Sequence, residues 1–126
     1  MSEILAPPIP LPLTKLELQG KLASANEYNV GIALAQAGFE YLFRVTYFGG
    51  KRIRGGVEVD FLVSAPMPTP LEVFGDYWHS GQFDDTDKLR LAILEKFFSR
   101  KVLIIWGNES ETVEDARQAV RKVLHR

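Results

Sequence analysis

Asp60 stands in the middle of Val57-Glu58-Val59-Asp60-Phe61-Leu62-Val63, a run otherwise suited to a buried strand. A carboxylate in such a place is costly unless it is paired or bound to a cation. Strand alternation puts Asp60 on one face with Glu58 and Leu62, opposite Val57, Val59, Phe61 and Val63. The plainer alternative is a polar face at a sheet edge. Glu72 repeats the pattern in Leu71-Glu72-Val73-Phe74, so two adjacent strands can carry both acids to one end of a sheet. Glu27 leads the Val30, Leu34 stripe of a helical segment, which turns its side chain toward the sheet; as a first-turn acid it also suits the helix dipole. His79 follows Gly75-Asp76-Tyr77-Trp78 and lies between two groups of carboxylates, a setting in which an imidazole can carry protons near neutrality. A lone loop histidine is also what an ordinary surface displays. Asp87 opens the next helical segment and is the nearest acid able to orient that ring, or simply a helix N-terminal acid.

The charges around these residues are unevenly spread. Residues 55–87 hold seven carboxylates and no Lys or Arg, for −7, while 1–54 carry +2 and 88–126 carry +4 in a chain of net charge −1. An acidic centre between basic flanks suits a hard cation beside a phosphate-binding surface, because oxygen ligands suit Mg²⁺ and Lys/Arg suit phosphate. A run of solvated loop carboxylates gives the same count. The balanced total excludes a chain that holds nucleic acid or membranes by bulk charge. The absence of cysteine excludes disulfides, thiol nucleophiles, iron–sulfur clusters and cysteine-ligated zinc. No apolar run approaches the roughly 18 residues of a membrane span, and MSEILAPPIP lacks a basic n-region. The expectation is therefore no membrane partner, no secretory signal and a cytoplasmic location.

A length of 126 residues, 46% hydrophobic and 25% charged, predicts one domain with one core. Pro7, Pro8, Pro10 and Pro12 predict an extended, proline-rich N-terminal arm over residues 1–23, with the domain proper at 24–126. Capping by Ser24 or Asn26 and the Val30, Leu34, Ala37 spacing predict a helix ending at Gly38. Phe39 to Phe48 reads as a strand, and Gly49 to Gly56 as a glycine-bracketed turn carrying Lys51, Arg52 and Arg54. A second, antiparallel strand follows at Val57 to Val63, then a loop through three prolines to Pro70 and a short strand at Leu71 to Phe74. A helix is expected from Asp85 or Thr86 to about Ser99, with a broad apolar face of Leu89, Ala92, Ile93, Leu94, Phe97 and Phe98. Lys101 to Trp106 reads as a strand buried on both faces, and Ser110 or Thr112 as the cap of a last helix. The predicted class is α/β, in the order α-β-β-β-α-β-α, with a mixed four-stranded sheet flanked by helices.

In this order of Glu on a helix, Asp on a strand, Glu on the next strand, Trp-His in a loop and Asp at a helix start, the chain resembles the restriction-endonuclease-like nucleases. Within them it is most similar to the branch of the very-short-patch mismatch repair endonuclease and of phage homing endonucleases with a Glu, Asp, His, Asp active site. The likeness spans roughly Ser24 to Leu124. It is carried by Glu27-x-x-Val30, Val59-Asp60-Phe61-Leu62-Val63, Glu72 to His79, Asp87-Lys88-Leu89-Arg90 and Val102 to Trp106, of which Gly-x-Tyr-Trp-His is the most specific. The resemblance implies the restriction-endonuclease-like core, with Asp60 binding a divalent ion, His79 handling protons with help from Asp87, and Glu27 completing the site. It makes Glu72 the acidic residue of the wider nuclease motif and a metal ligand beside Asp60, but the lysine normally two places on is Phe74 here. Aligned instead on Trp78-His79, the mismatch-repair pattern makes Val73 a metal ligand through its backbone carbonyl. No structural zinc is expected.

The function so implied is Mg²⁺-dependent hydrolysis of DNA phosphodiesters, with Mn²⁺ as a substitute. Lys51, Arg52 and Arg54 would grip phosphates, and Trp78 would stack or wedge against bases. Because each phosphate contact needs a cation, the modest charge makes a homodimer or larger partner helpful. The rival is a catalytically inactive nuclease-fold module that binds nucleic acid or a protein, a reading kept open by Phe74. A metal-dependent enzyme for a small phosphorylated substrate would need a deep pocket.

Overall fold

The segment from Lys15 to Ala23 is drawn toward the domain by Leu18, just before a tight turn. The computed structural model describes residues 15–47, 56–75 and 85–125. In it, β1 (Glu17–Leu18) and β2 (Lys21–Leu22) form an antiparallel hairpin. Gln19 and Gly20 close it at φ +53° and +79°, the left-handed pair that a two-residue turn requires. Leu18 enters the core beside Gly31, where a Cβ would stand 2.6 Å from Leu18 Cδ1, so only glycine admits the hairpin this closely. The arm expected over 1–23 therefore does not stay extended through its described part. Residues 1–14 lie outside the described residues.

Ser24 caps α1 (Ala25–Gln36) by accepting the Glu27 amide, and the Glu27 carboxylate returns the bond to the Ser24 amide. The sheet is built from β3 (Glu40–Tyr47), β4 (Val57–Ser64), β5 (Pro68–Phe74) and β6 (Leu103–Trp106), side by side in that order. The first two pairings are antiparallel, and β5–β6 is parallel, joined across α2 (Asp85–Phe98). A 3-10 turn (Gly107–Glu109) leads to α3 (Val113–Leu124), capped by Thr112. This is an α/β architecture with a mixed four-stranded sheet and, among the described residues, three α-helices. No helix among them is long and apolar enough to cross a membrane.

Two cores hold the layers. Val30 and Leu34 of α1, and Ala116 and Val120 of α3, pack with Leu18, Phe43, Phe61, Leu71 and Ile105. Leu94 of α2 packs with Val57, Val59 and Val102, flanked by Tyr47, Phe98 and Ile104. Within β6, Ile105 thus belongs to one core and Ile104 to the other, as alternation requires.

Three sequence expectations change. The proline loop shrinks to residues 65–67 because Pro68 and Pro70 are already in β5. Pairing with β6 begins only at Leu71, so both prolines lie where the strand has a single neighbour and no second ladder demands their N–H. β6 is four residues at the sheet edge rather than a fully buried strand; Ile105 is buried, while Leu103, Ile104 and Trp106 are half-buried. The broad apolar face of α2 contracts to Leu94 at its centre, with Leu89 63% and Phe97 50% exposed.

The opposite edge, β3, is covered by side chains of the hairpin. The Gln19 amide donates to Tyr41 O at 2.6 Å and accepts from the Phe43 amide at 2.9 Å, as a paired residue of another strand would. Lys21 Nζ takes the next carbonyls, Phe43 O and Arg44 O, each at 3.0 Å. From Tyr41 to Arg44 the strand edge is thereby hydrogen-bonded by side chains.

Candidate functional site

The β4–β5 ladder stops at Phe61↔Leu71. One residue further, where the strands part, side chains replace the ladder: the Asp60 amide donates to Glu72 Oε2 and the Val73 amide to Asp60 Oδ2, both at 2.9 Å. Each carboxylate thus satisfies a backbone donor freed by the fork. Across β3, Arg44 has φ +55° between the Phe43↔Phe61 and Val45↔Val59 pairs, so the neighbouring strand departs from regular geometry at the same level.

Helix α1 is brought to this end by Asn26, whose side-chain amide donates to Gly107 O at 2.9 Å and Ser110 O at 3.2 Å just beyond β6. The Gly107 amide in turn donates to Gly75 O at 3.2 Å, joining the ends of β5 and β6. Glu27, next to Asn26, therefore faces the fork. Its Oε1 accepts from Ser24 N at 2.9 Å and Arg44 Nη2 at 3.1 Å, and Arg44 Nη1 lies 3.7 Å from Glu58 Oε1. Leu94 seats α2 on the other face and sets Asp87 and Arg90 over Glu72.

These elements enclose a cleft of about 380 Å³ lined by Glu27, Glu58, Asp60, Glu72 and Asp87, with Val73, Phe74, Gly75 and Arg90. Of the residues singled out from sequence, Glu27, Asp60, Glu72, Val73 and Asp87 meet here. Lys51, Arg52, Arg54, Trp78 and His79 lie outside the described residues.

Arg90, Arg44 and Glu58 have no place in the sequence-derived set. Arg90 forms an ion pair through Nη1 with Glu72 Oε1, and its Nη2 is 3.5 Å from Asp87 Oδ1. Its Nη1 also lies 3.4 Å from Glu58 O, and the guanidinium sits 5.5 Å from the centroid of the Phe74 ring. Phe74 thus offers a ring face to a cation carried by the helix. Spacing held one signal for this, since Asp87 and Arg90 are three apart on a helix and share a face.

Burial and charge act together on the acids. Burial pushes Asp60 up to about 7, Glu72 adds to the rise, and the Val73 N–H opposes it. Burial also raises Glu72, against the pull of the Arg90 hydrogen bond and charge. Burial alone would lower Arg90, but contact with Glu72 reverses this and raises it. Arg90 thus pulls both carboxyls toward ionisation, while burial holds both above their ordinary values.

Among the described residues no three His, Asp or Glu side chains are grouped to hold a metal. The donors present nonetheless suit Mg²⁺, which binds through one or two carboxylates and retains several waters. Asp60 Oδ1 makes no hydrogen bond among the described residues, and a cation there would relieve its repulsion with Glu72.

No protein-family model, no curated protein and no solved structure matches the chain. Fold and site define an α/β domain with a carboxylate-lined cleft at a strand fork.

Proposed function

We propose that this protein is a Mg²⁺-dependent DNA endonuclease of the restriction-endonuclease-like type, in the branch with a Glu, Asp, His, Asp site. The observation that carries the proposal is the Asp60–Glu72 pair at the β4–β5 fork, in one cleft with Glu27 and Asp87. A half-buried aspartate held beside a buried glutamate that repels it fits a site made for a cation.

In this reading Asp60 and the Val73 carbonyl hold Mg²⁺, or Mn²⁺ in its place. When bound, the ion polarises a phosphoryl oxygen and lowers the pKa of a coordinated water. Glu72 has both oxygens engaged, by the Asp60 amide and Arg90, and acts as a brace more than as a ligand. Glu27 Oε1 is engaged by Ser24 and Arg44, which leaves Oε2 to orient water. His79 takes a proton from the attacking water or supplies one to the leaving oxygen, with Asp87 as its orienting acid. Lys51, Arg52 and Arg54 bind phosphates, and Trp78 stacks on bases; these offset the negative cleft, which would otherwise repel DNA.

The test is a panel of duplex, branched and mismatched oligonucleotides incubated with Mg²⁺ or EDTA, with binding followed in Ca²⁺. Cutting in Mg²⁺ alone, lost in His79→Ala, supports the enzyme. Binding of DNA without cutting in Mg²⁺ or Mn²⁺ would instead favour the inactive nucleic-acid-binding module, and neither binding nor cutting would favour a protein partner.

A further inference from the structure

We propose that Arg90 is a positioning residue: by engaging one oxygen of Glu72 it aims the other at the Asp60 amide, and so fixes the aspartate assigned above to a divalent cation. This inference rests on that functional reading and extends it to a residue outside the Glu, Asp, His, Asp set.

Three elements restrain the guanidinium. Asp87 holds it from its own helix at 3.5 Å, Phe74 of β5 lies against it at 5.5 Å, and the Glu58 carbonyl of β4 faces Nη1 at 3.4 Å. A planar fork can meet all of these at once; a lysine ammonium, compact and unable to lie flat on a ring, meets them only in part. The chain of contacts then runs Arg90 to Glu72, Glu72 to the Asp60 amide, and Asp60 to the Val73 amide. Every link after the first is at the fork, where no ladder bond substitutes for a lost one. Without Arg90, Glu72 is a carboxylate 2% exposed with a single amide donor beside a second acid. It would turn away from the fork, and Asp60 would lose its backbone anchor.

The experiment uses the full chain, with Mn²⁺ alone as the probe, read by the paramagnetic resonance of free Mn²⁺, and hydrogen exchange at the Asp60 amide in EDTA. Arg90→Gln should weaken Mn²⁺ binding about 10–100-fold, the usual effect of losing a residue that orients a ligand. It should also speed Asp60 amide exchange. Arg90→Lys should recover part of both. The double variant Glu72→Gln/Arg90→Gln keeps an uncharged acceptor for the Asp60 amide, and should bind Mn²⁺ as Glu72→Gln does, because Arg90 acts through Glu72. This comparison also serves if the single variant fails to fold. Wild-type Mn²⁺ affinity in Arg90→Gln, with weakened DNA binding in EDTA, would overturn the proposal and make Arg90 a phosphate anchor. If the natural protein binds no Mn²⁺, the metal reading itself fails, and amide exchange decides alone: equal rates in wild type and Arg90→Gln overturn the positioning role, and faster exchange in the variant upholds it.

Discussion

Asp60 and Glu72 each complete the other's strand: the Asp60 amide donates to Glu72 Oε2 at 2.9 Å, and Asp60 Oδ2 receives the amide of Val73, the residue after Glu72, at 2.9 Å. Two side chains thus do the work of a ladder at the level where the ladder ends. The same bonds that close the fork also hold two acids side by side in the cleft.

Glu72 is held between the Asp60 amide and Arg90. Glu72→Ala removes the partner of Arg90 and the acceptor of the Asp60 amide, and breaking a buried pair from one side costs about 3–5 kcal/mol. Glu72→Gln keeps the acceptor and should lose less. Urea unfolding of the two variants measures the difference; equal losses would mean that charge alone, and not the amide bond, holds the fork.

A pH dependence follows from Asp60, which burial and Glu72 push up to about 7. Between the ordinary aspartate value of about 4 and that point, the folded metal-free protein holds a proton that the unfolded chain has released. The folded state therefore binds more protons, and stability falls as pH rises through this window. Urea midpoints in EDTA should decline from about pH 4.5 to about pH 7 in the wild type. The decline should be shallower in Asp60→Asn. A midpoint that climbs across this interval contradicts the burial argument.

The hairpin offers a third prediction, independent of the cleft. A methyl at Gly31 would meet Leu18 Cδ1 at 2.6 Å, Leu18 Cδ2 at 2.8 Å and Tyr41 Oη at 2.9 Å. Gly31→Ala should destabilise by about 1–3 kcal/mol through overpacking. Leu18→Ala removes two of the three obstructing atoms, so the double variant should be more stable than the sum of the single losses predicts. A thermal double-mutant cycle that proves additive would show that the hairpin does not press on α1.

The element order and the mixed sheet were legible because strand and helix periods are strong in this chain, and because Ser24 and Thr112 are good caps. Pro68 and Pro70 misled because a proline announces a missing N–H but not which side of the strand it faces. The hairpin had only Gly20 between Leu18 and Leu22 as its signal, next to prolines that read as an arm. In the cleft, acids within apolar strands stood out, since burial makes a carboxylate conspicuous. Arg90 did not, because an arginine on an amphipathic helix looks like any solvated cation until its partner across the fold is known. Arg44 was hidden for another reason: arginine has no preference for the left-handed backbone it adopts at φ +55°.

In the proposed function, the fork-held carboxylate Asp60 serves metal-dependent DNA hydrolysis. The most direct test is cleavage of supercoiled plasmid in Mg²⁺ by the natural protein and by Asp60→Asn, which keeps an acceptor for the Val73 amide. The expected result is cutting that EDTA abolishes and that Asp60→Asn loses by at least about 100-fold while remaining folded. Undiminished cutting by folded Asp60→Asn, or a natural protein that binds the plasmid and never cuts it with Mg²⁺ or Mn²⁺, would contradict it.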